Sequence, residues 1–201
     1  MLVLLLLLPL AVLGKAPVCY FGGPGAPVCY LDGIQAPMCY FKGIGSEELK
    51  EMLFFMRVSN CAYELRDGST NDLSGEQLRF DQGMTLVSHG RATLRGDSNS
   101  VLYIGGGALH LENITLESIR VVTESCDRVE MRNVVISADQ CDDLVSLRNT
   151  TYIDLSNNDF RGSACTESCL RLVGVNRFHL FANSAHGGCP KIEDGVDGHE
   201  R

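Results

Sequence analysis

The chain has 201 residues but no tryptophan, and it is poor in basic side chains. Lysine and arginine number 17 against 25 aspartates and glutamates, so the formal net charge is −8. A chain with this net negative charge lacks the excess of basic side chains that binding to phosphate backbones requires, and we expect no nucleic-acid partner. The lack of tryptophan also weakens any expectation of an aromatic platform for stacking sugars.

Long apolar runs are absent after the first 13 residues. Residues 1–13 fall short of the roughly 20 that a membrane-spanning helix needs, but they suit the core of a signal peptide. We therefore predict a signal peptide over residues 1–14, cleaved after Gly14, and no membrane span thereafter. An uncleaved anchor is the alternative, because no Lys or Arg precedes the run. Secretion into an oxidising compartment would favour paired cysteines.

Proline is missing between residues 38 and 189, and four of the six prolines fall in three tandem decamers. The decamers read APVCYFGGPG, APVCYLDGIQ and APMCYFKGIG. Proline and glycine disfavour regular structure there, so residues 15–45 are predicted to be a flexible, disordered tail. Their cysteines, Cys19, Cys29 and Cys39, could link chains into a disulfide-bonded oligomer. A precursor of secreted Cys-Tyr repeat peptides is the alternative.

Two flanking segments have simple predicted roles. Ser46 can cap a short amphipathic helix, and we expect residues 46–79 to form an N-terminal cap that covers the exposed end of the next domain. Residues 189–201 are predicted to be a solvated acidic C-terminal tail.

Residues 80–188 carry short strands on a long period. Alternating apolar residues recur at intervals of 20, 24 and 25 residues in one column: Leu111, Met131, Leu155 and Leu180. An asparagine follows at a fixed offset in three of the copies: Asn113, Asn133 and Asn157. Several strands per 20–25-residue unit and an asparagine at the bend are typical of a parallel β-helix, in which inward asparagines can form a ladder. The prediction is an all-β chain with a short β-helix of about four to five coils.

Four segments resemble the right-handed parallel β-helix repeat of pectin-lyase-like proteins. They read MTLVSHGRATLRG, SNSVLYIGGGALHLENITL, SLRNTTYIDLSNNDFRG and SCLRLVGVNRFHLFANSA. The Gly-Gly-Ala-Leu at 106–109 is also similar to repeats of polymorphic outer-membrane adhesins. The resemblance covers roughly residues 65–188. It implies a right-handed coil, but not one activity, because this fold serves lyases, hydrolases, adhesins and structural parts.

Alternation places a polar column beside the apolar one, and this column is the candidate site. Its members are His110, Glu130, Asp154 and His179, with Arg132 beside them. Carboxylates stacked about 4.8 Å apart could act on a glycosidic bond or bind calcium. A solvated sheet face would show the same alternation. The enzyme signatures that the resemblance implies are met only in part, at Asp142-Asp143, Ser88-His89-Gly90 and Ala185-His186-Gly187.

The favoured interpretation is a secreted or cell-surface, non-catalytic module that binds an extracellular glycan or protein through the face around Glu130 and Asp154. The alternative is a carbohydrate-active enzyme, a polysaccharide lyase or glycoside hydrolase of the pectin-lyase-like type. No resident cofactor or metal is assigned.

Two kinds of modification follow from the expected compartment. Asn149 and Asn113 head glycosylation sequons, and we expect Asn149 to be the better acceptor because Asn113 falls in the supposed inward ladder. Six cysteines lie in the cap and coils: 61, 126, 141, 165, 169 and 189. Among them Cys141 and Cys165 occupy similar turns on neighbouring coils and are the predicted disulfide.

Overall fold

The computed structural model describes residues 17–22, 28–31, 39–45, 49–50, 61–139, 144–162, 169–187 and 195–198. These ranges form a parallel β-solenoid of about five turns with almost no helix. The all-β, parallel β-helix prediction is confirmed. Among the described residues, no helix is long and apolar enough to cross a membrane. The predicted signal peptide lies outside them.

Each turn of the solenoid has three faces. The first face contains β4 (Cys61–Leu65), the first half of β7 (Gly83–Arg95), the first half of β9 (Ala108–Glu117), β11 (Arg128–Arg132), β14 (Tyr152–Ser156) and β17 (Arg177–Phe181). The second face contains β5 (Thr70–Asp72), the second halves of β7 and β9, β12 (Val135–Ala138), β15 (Asp159–Gly162) and β18 (Ser184–Gly187). The third face contains β6 (Gln77–Phe80), β8 (Val101–Ile104), β10 (Arg120–Glu124), β13 (Val145–Arg148) and β16 (Leu170–Val173).

The core is built from apolar columns that run along the solenoid axis. Met131 pairs in register with both Leu111 and Leu155, and Leu155 pairs with Leu180. All four side chains are buried. A second column on the next face is also in register and buried in its first three members: Leu116, Ile136, Phe160 and Ala185. The predicted registers are therefore confirmed, and burial of these columns supplies the main driving force for folding.

The bend between the first and second faces is made by residues with a left-handed backbone. Asn113, Asn133 and Asn157 have φ values of 55°, 53° and 56°, and Ala182 occupies the same place with 52°. Asparagine tolerates this conformation better than most residues. The predicted inward ladder at these three positions is wrong: Asn133 and Asn157 are exposed, and Asn113 is only partly buried.

The inward asparagines lie one position later, because the left-handed bend turns the following residue toward the core. Asn158 is 1% exposed, and its side chain accepts a hydrogen bond from the Val134 amide at 2.9 Å. It donates to the Met131 carbonyl at 2.9 Å and to Asn183 Oδ1 at 3.0 Å. Asn183 in turn donates to the Leu155 carbonyl at 2.8 Å. This pair joins neighbouring turns from the inside.

Each decamer contributes a strand: β1 (Pro17–Gly22), β2 (Val28–Leu31) and β3 (Cys39–Ile44). The strand β3 pairs in parallel with β4, and its Phe41 and Ile44 are buried. Phe41 stacks on Tyr63 with ring centroids 5.4 Å apart. These parts therefore differ from the flexible tail expected for residues 15–45. The open edge of β4 supplies unpaired backbone groups, which favour a further strand despite nearby proline and glycine.

Strands are found beyond both ends of the β-helix predicted for residues 80–188. The first turn begins at Cys61, within the predicted cap of residues 46–79. Most of the predicted capping helix lies outside the described residues, although Leu49 is helical and fully buried. At the other end, β19 (Gly195–Gly198) pairs antiparallel with β17.

Replacing Tyr63 with phenylalanine is expected to raise the free energy of unfolding by about 1 kcal/mol at pH 7. The Tyr63 hydroxyl is buried and has no hydrogen-bond partner in the described part of the chain. Burial also raises the pKa of Tyr63 from 10.0 to about 12. The folded state therefore holds this proton more tightly, and the wild type loses stability as the pH rises from 10 through 12, a loss that the variant lacks.

Urea unfolding at pH 7 and pH 11 measures both effects. Tyr103→Phe is the control at pH 7, because the Tyr103 hydroxyl is hydrogen-bonded to Glu124 at 3.1 Å and its removal brings no gain. A Tyr63→Phe protein that is less stable than the wild type at pH 7 would contradict the prediction.

Candidate functional site

The predicted polar column lies on the outer side of the first face. Glu130 pairs in register with His110 on one side and Asp154 on the other, and Asp154 pairs with His179. The structure thus brings together the residues that alternation singled out. We call these four residues, with Arg128 and Arg132, the charged ladder.

Glu130 lies at the centre of the charged ladder and is paired on both carboxylate oxygens. Its Oε1 contacts Arg128 Nη2 and lies 3.8 Å from Arg132 Nη2. Its Oε2 lies 2.9 Å from His110 Nδ1. The Glu130 side chain is only 16% exposed, so these partners replace much of its hydration.

Asp154 is paired in the same way one turn further along. Its Oδ1 lies 3.2 Å from His179 Nδ1, and its Oδ2 lies 3.5 Å from Arg132 Nη2. The Asp154 side chain is 14% exposed. Arg132 therefore bridges the two carboxylates, which lowers the repulsion between them.

Aromatic rings border the charged ladder. The Arg128 guanidinium lies 5.0 Å from the centroid of the Tyr152 ring, in a cation–π arrangement. His179 stacks on Phe181 with centroids 6.2 Å apart. Phe181 is 54% exposed and is one of two large hydrophobic side chains that are exposed among the described residues; the other is Val173 on the third face.

The contacts of the two carboxylates decide which chemistry suits them. A nucleophile or general acid needs an oxygen that a substrate can approach. Here every oxygen of Glu130 and Asp154 already contacts a guanidinium or an imidazole. A calcium ion would have to displace the same partners. The arrangement is suited to presenting fixed charges.

The partial enzyme motifs do not converge on the charged ladder. Ser88 donates its hydroxyl to Asp67 at 2.7 Å, and the Gly90 amide donates to the same carboxylate at 2.7 Å. The Gly90 amide, followed by the Ser88 hydroxyl, holds the pKa of Asp67 below its usual value. This contact shapes the bend of the second turn. His186 lies on the second face, and Asp142-Asp143 lies outside the described residues.

The structure also revises the expectations for the sequons. Asn149 is exposed at a left-handed bend with φ of 50°, as an acceptor in a turn should be. Asn113 is not in the inward ladder, so burial in the core does not hide it. Its amide instead donates to the Ser88 carbonyl at 2.8 Å and accepts from Asn133 at 2.5 Å. A glycan on Asn113 would therefore disturb hydrogen bonds that hold the bend.

The cysteines form different groups from those expected. Cys126 is a free, buried thiol, so it does not join the predicted paired set, and burial raises its pKa to about 11. The predicted pair, Cys141 and Cys165, lies outside the described residues. Strand register aligns the decamer cysteines with one more cysteine on adjacent strands, in the order Cys29, Cys19, Cys39 and Cys61.

Sequence reasoning missed a cleft of about 390 Å³ on the second face. Its ionisable lining residues include Glu117, Asp139, Arg161 and His186. They come from different turns and are separated along the chain by 22 to 25 residues, so only a correct three-face register could have brought them together.

Comparison with known proteins found no match to this chain among family models, curated proteins or solved structures.

Proposed function

We propose that the chain is a secreted or cell-surface, non-catalytic binding module that docks onto an extracellular protein through the charged ladder and the neighbouring Phe181. The observation that carries this proposal is the pairing of both central carboxylates with guanidinium and imidazole groups from their own and neighbouring strands. Such pairing fixes the side chains before a partner arrives, which reduces the ordering that binding requires.

The composition of the first face favours a protein partner. Arginine and aromatic residues are enriched at protein interfaces, and hot spots often combine them. The charged ladder supplies Arg128 and Arg132, and Phe181 offers a large apolar side chain that is 54% exposed. Two guanidinium groups beside two adjacent carboxylates would select a partner with the complementary charge pattern.

The same aromatic residues argue against a glycan on this face. A sugar stacks on an open aromatic ring. The Arg128 guanidinium lies over the Tyr152 ring, and His179 stacks on Phe181. A pyranose stacking on the Tyr152 ring would have to compete with the Arg128 guanidinium.

Secretion belongs to this proposal, since it depends on the apolar start of the chain and on the exposed sequon at Asn149. We also infer that the solenoid is the right-handed, pectin-lyase-like type. Its three faces per turn and its left-handed asparagine bends support that inference. Release of the third decamer as a peptide is disfavoured, because Phe41 and Ile44 are part of the core.

Phe181→Ala is the variant that tests the proposal. The secreted wild-type chain is first used to capture binding proteins from extracellular fluid, and each captured protein is then purified and its Kd measured. We expect Phe181→Ala to weaken binding at least about 10-fold, which corresponds to about 1.4 kcal/mol. Val173→Ala is the matched control, because Val173 is 43% exposed on the third face.

An equal loss in both variants would indicate general destabilisation, and binding unchanged in Phe181→Ala would remove the first face as the docking surface. Either result contradicts the proposal.

A further inference from the structure

The second-face cleft has a volume of about 390 Å³, which is within the range of small-ligand sites. It is formed by side chains of the second face and the bends beside it, whereas the charged ladder lies on the first face. What it binds can therefore be argued independently of the proposed function.

The space for the cleft comes from a column of small residues. Ala138, Gly162 and Gly187 are in register on β12, β15 and β18. A Cβ atom added to Gly187 would lie 1.8 Å from the Gly162 carbonyl oxygen, so the two backbones are in direct contact. Small residues of this column therefore line part of the cleft and leave room beside the larger side chains of its other lining residues.

The rim carries charges in a fixed order along the solenoid axis. Glu117, Ser137, Arg161 and His186 are in register on four successive turns. Asp139, on the same turn as Ser137, also lines the cleft. Acidic side chains thus come from two adjacent turns, and the guanidinium and imidazole come from the next two.

Ion pairs with neighbouring residues hold the charged side chains at the two ends of the cleft. Asp159 Oδ2 contacts Arg161 at 2.7 Å through Nε and at 2.6 Å through Nη2. Asp159 Oδ1 lies 3.5 Å from His186 Nε2. The Asp159 side chain is 18% exposed, whereas those of Arg161 and His186 are 57% and 64% exposed. Asp159 therefore fixes the Arg161 guanidinium at one end, where His186 is a neighbour, and Arg95 contacts Glu117 at 2.8 Å at the other.

We propose that the cleft binds a short zwitterionic peptide of about three residues. Its ammonium group lies beside Glu117, and its carboxylate accepts hydrogen bonds from Arg161 and His186. Paired strands of adjacent turns are about 4.8 Å apart. Glu117 and Arg161 are two turns apart, so about 10 Å separates them along the axis. An extended tripeptide spans about 10 Å between its ends at roughly 3.3–3.6 Å per residue. Ser137 offers a hydroxyl to the central peptide group.

Three ligands of one length test the proposal: free trialanine, N-acetyl-trialanine and trialanine amide. Binding to the full secreted chain is measured by NMR chemical shift perturbation. We expect free trialanine to bind at least 10-fold more tightly than either capped form. In Arg161→Gln, free trialanine and its amide should bind equally, because the carboxylate has lost its main donor. Glu117→Gln should remove the preference for the free amino end.

Arg177→Gln is the matched control, since Arg177 is exposed on the first face of the turn that carries His186. It should keep the full preference for free trialanine. Equal binding of all three ligands to the wild type would overturn the proposal, and so would an absence of binding. Binding of glucuronate to this cleft with trialanine inert would overturn it in favour of a saccharide.

Discussion

Asn158→Ala is expected to lower the free energy of unfolding by about 3–5 kcal/mol. The substitution leaves the Val134 amide and the Met131 carbonyl without their buried partner and removes the link to Asn183. Each orphaned buried group costs about 1–3 kcal/mol. A domain with about 5–15 kcal/mol of total stability would lose a large part of it.

Asn157→Ala is the neighbouring control. Asn157 is exposed at the bend with φ of 56°, so alanine should lose only about 1–2 kcal/mol from the left-handed backbone. Urea unfolding of the two variants, followed by circular dichroism, gives the comparison. If Asn157→Ala were the more damaging change, the inward ladder would have to include Asn157.

Gly107→Ala is expected to prevent stable folding, with a loss on the order of 4–5 kcal/mol. Gly107 has φ of 61°, and a Cβ atom there would lie 2.3 Å from the carbonyl oxygen of Gln82. The obstacle is backbone of the preceding turn, so no rotamer change can relieve it. The turns that carry Gln82 and Gly107 would have to separate, and the Phe80 carbonyl would lose its hydrogen bond from the Gly105 amide at 2.7 Å.

Gly68→Ala separates this clash from backbone strain. Gly68 has a similar φ of 69°, but nothing lies within 4 Å of an added Cβ atom. The Gly68→Ala variant should therefore lose about 1–2 kcal/mol of its free energy of unfolding, from the left-handed conformation alone. The yield of secreted protein and the urea midpoint measure both variants. Comparable losses for the two would mean that the turns are not packed as closely as described.

The repeat of apolar columns was predictable because burial on one side of every strand imposes a strict period of two residues. Leu111, Met131, Leu155 and Leu180 follow that rule through intervals of different length. Loop lengths vary at the bends, where the core does not constrain them. The strands could therefore be aligned without knowing the loops.

The inward asparagines lie one residue later than the sequence predicts, and the reason is local. Asn157 and Asn158 are adjacent and identical, so the sequence does not show which of them adopts the left-handed conformation. Asn113 and Asn133 are equivalent to Asn157 on the earlier turns, and this repeat favoured the bend residue as the ladder position. The inward column holds Ile114 and Val134 on the earlier turns, so its polar members are visible only near the C-terminal end.

The decamers show how tertiary pairing overrides local preference. Proline and glycine predict a flexible segment, yet β3 adds to the edge of β4 and buries Phe41. Only the edge of the solenoid, which forms elsewhere in the chain, makes that strand favourable.

The candidate site was predictable as a column but not as a network. Alternation identified Glu130 and Asp154, and the structure places them on adjacent strands. Side-chain geometry then adds Arg128 and the bridging position of Arg132. Without these contacts the carboxylates look like a catalytic pair; with them, both are occupied.

The role assigned to Glu130 and Asp154 is tested most directly by incubating the purified secreted chain with a panel of acidic polysaccharides and measuring new reducing ends and unsaturated products. We predict no turnover by the wild type on any member of the panel. Turnover that disappears in the Glu130→Gln, Asp154→Asn double variant, while the Val173→Ala protein keeps it, would contradict a recognition role and establish a carbohydrate-active enzyme.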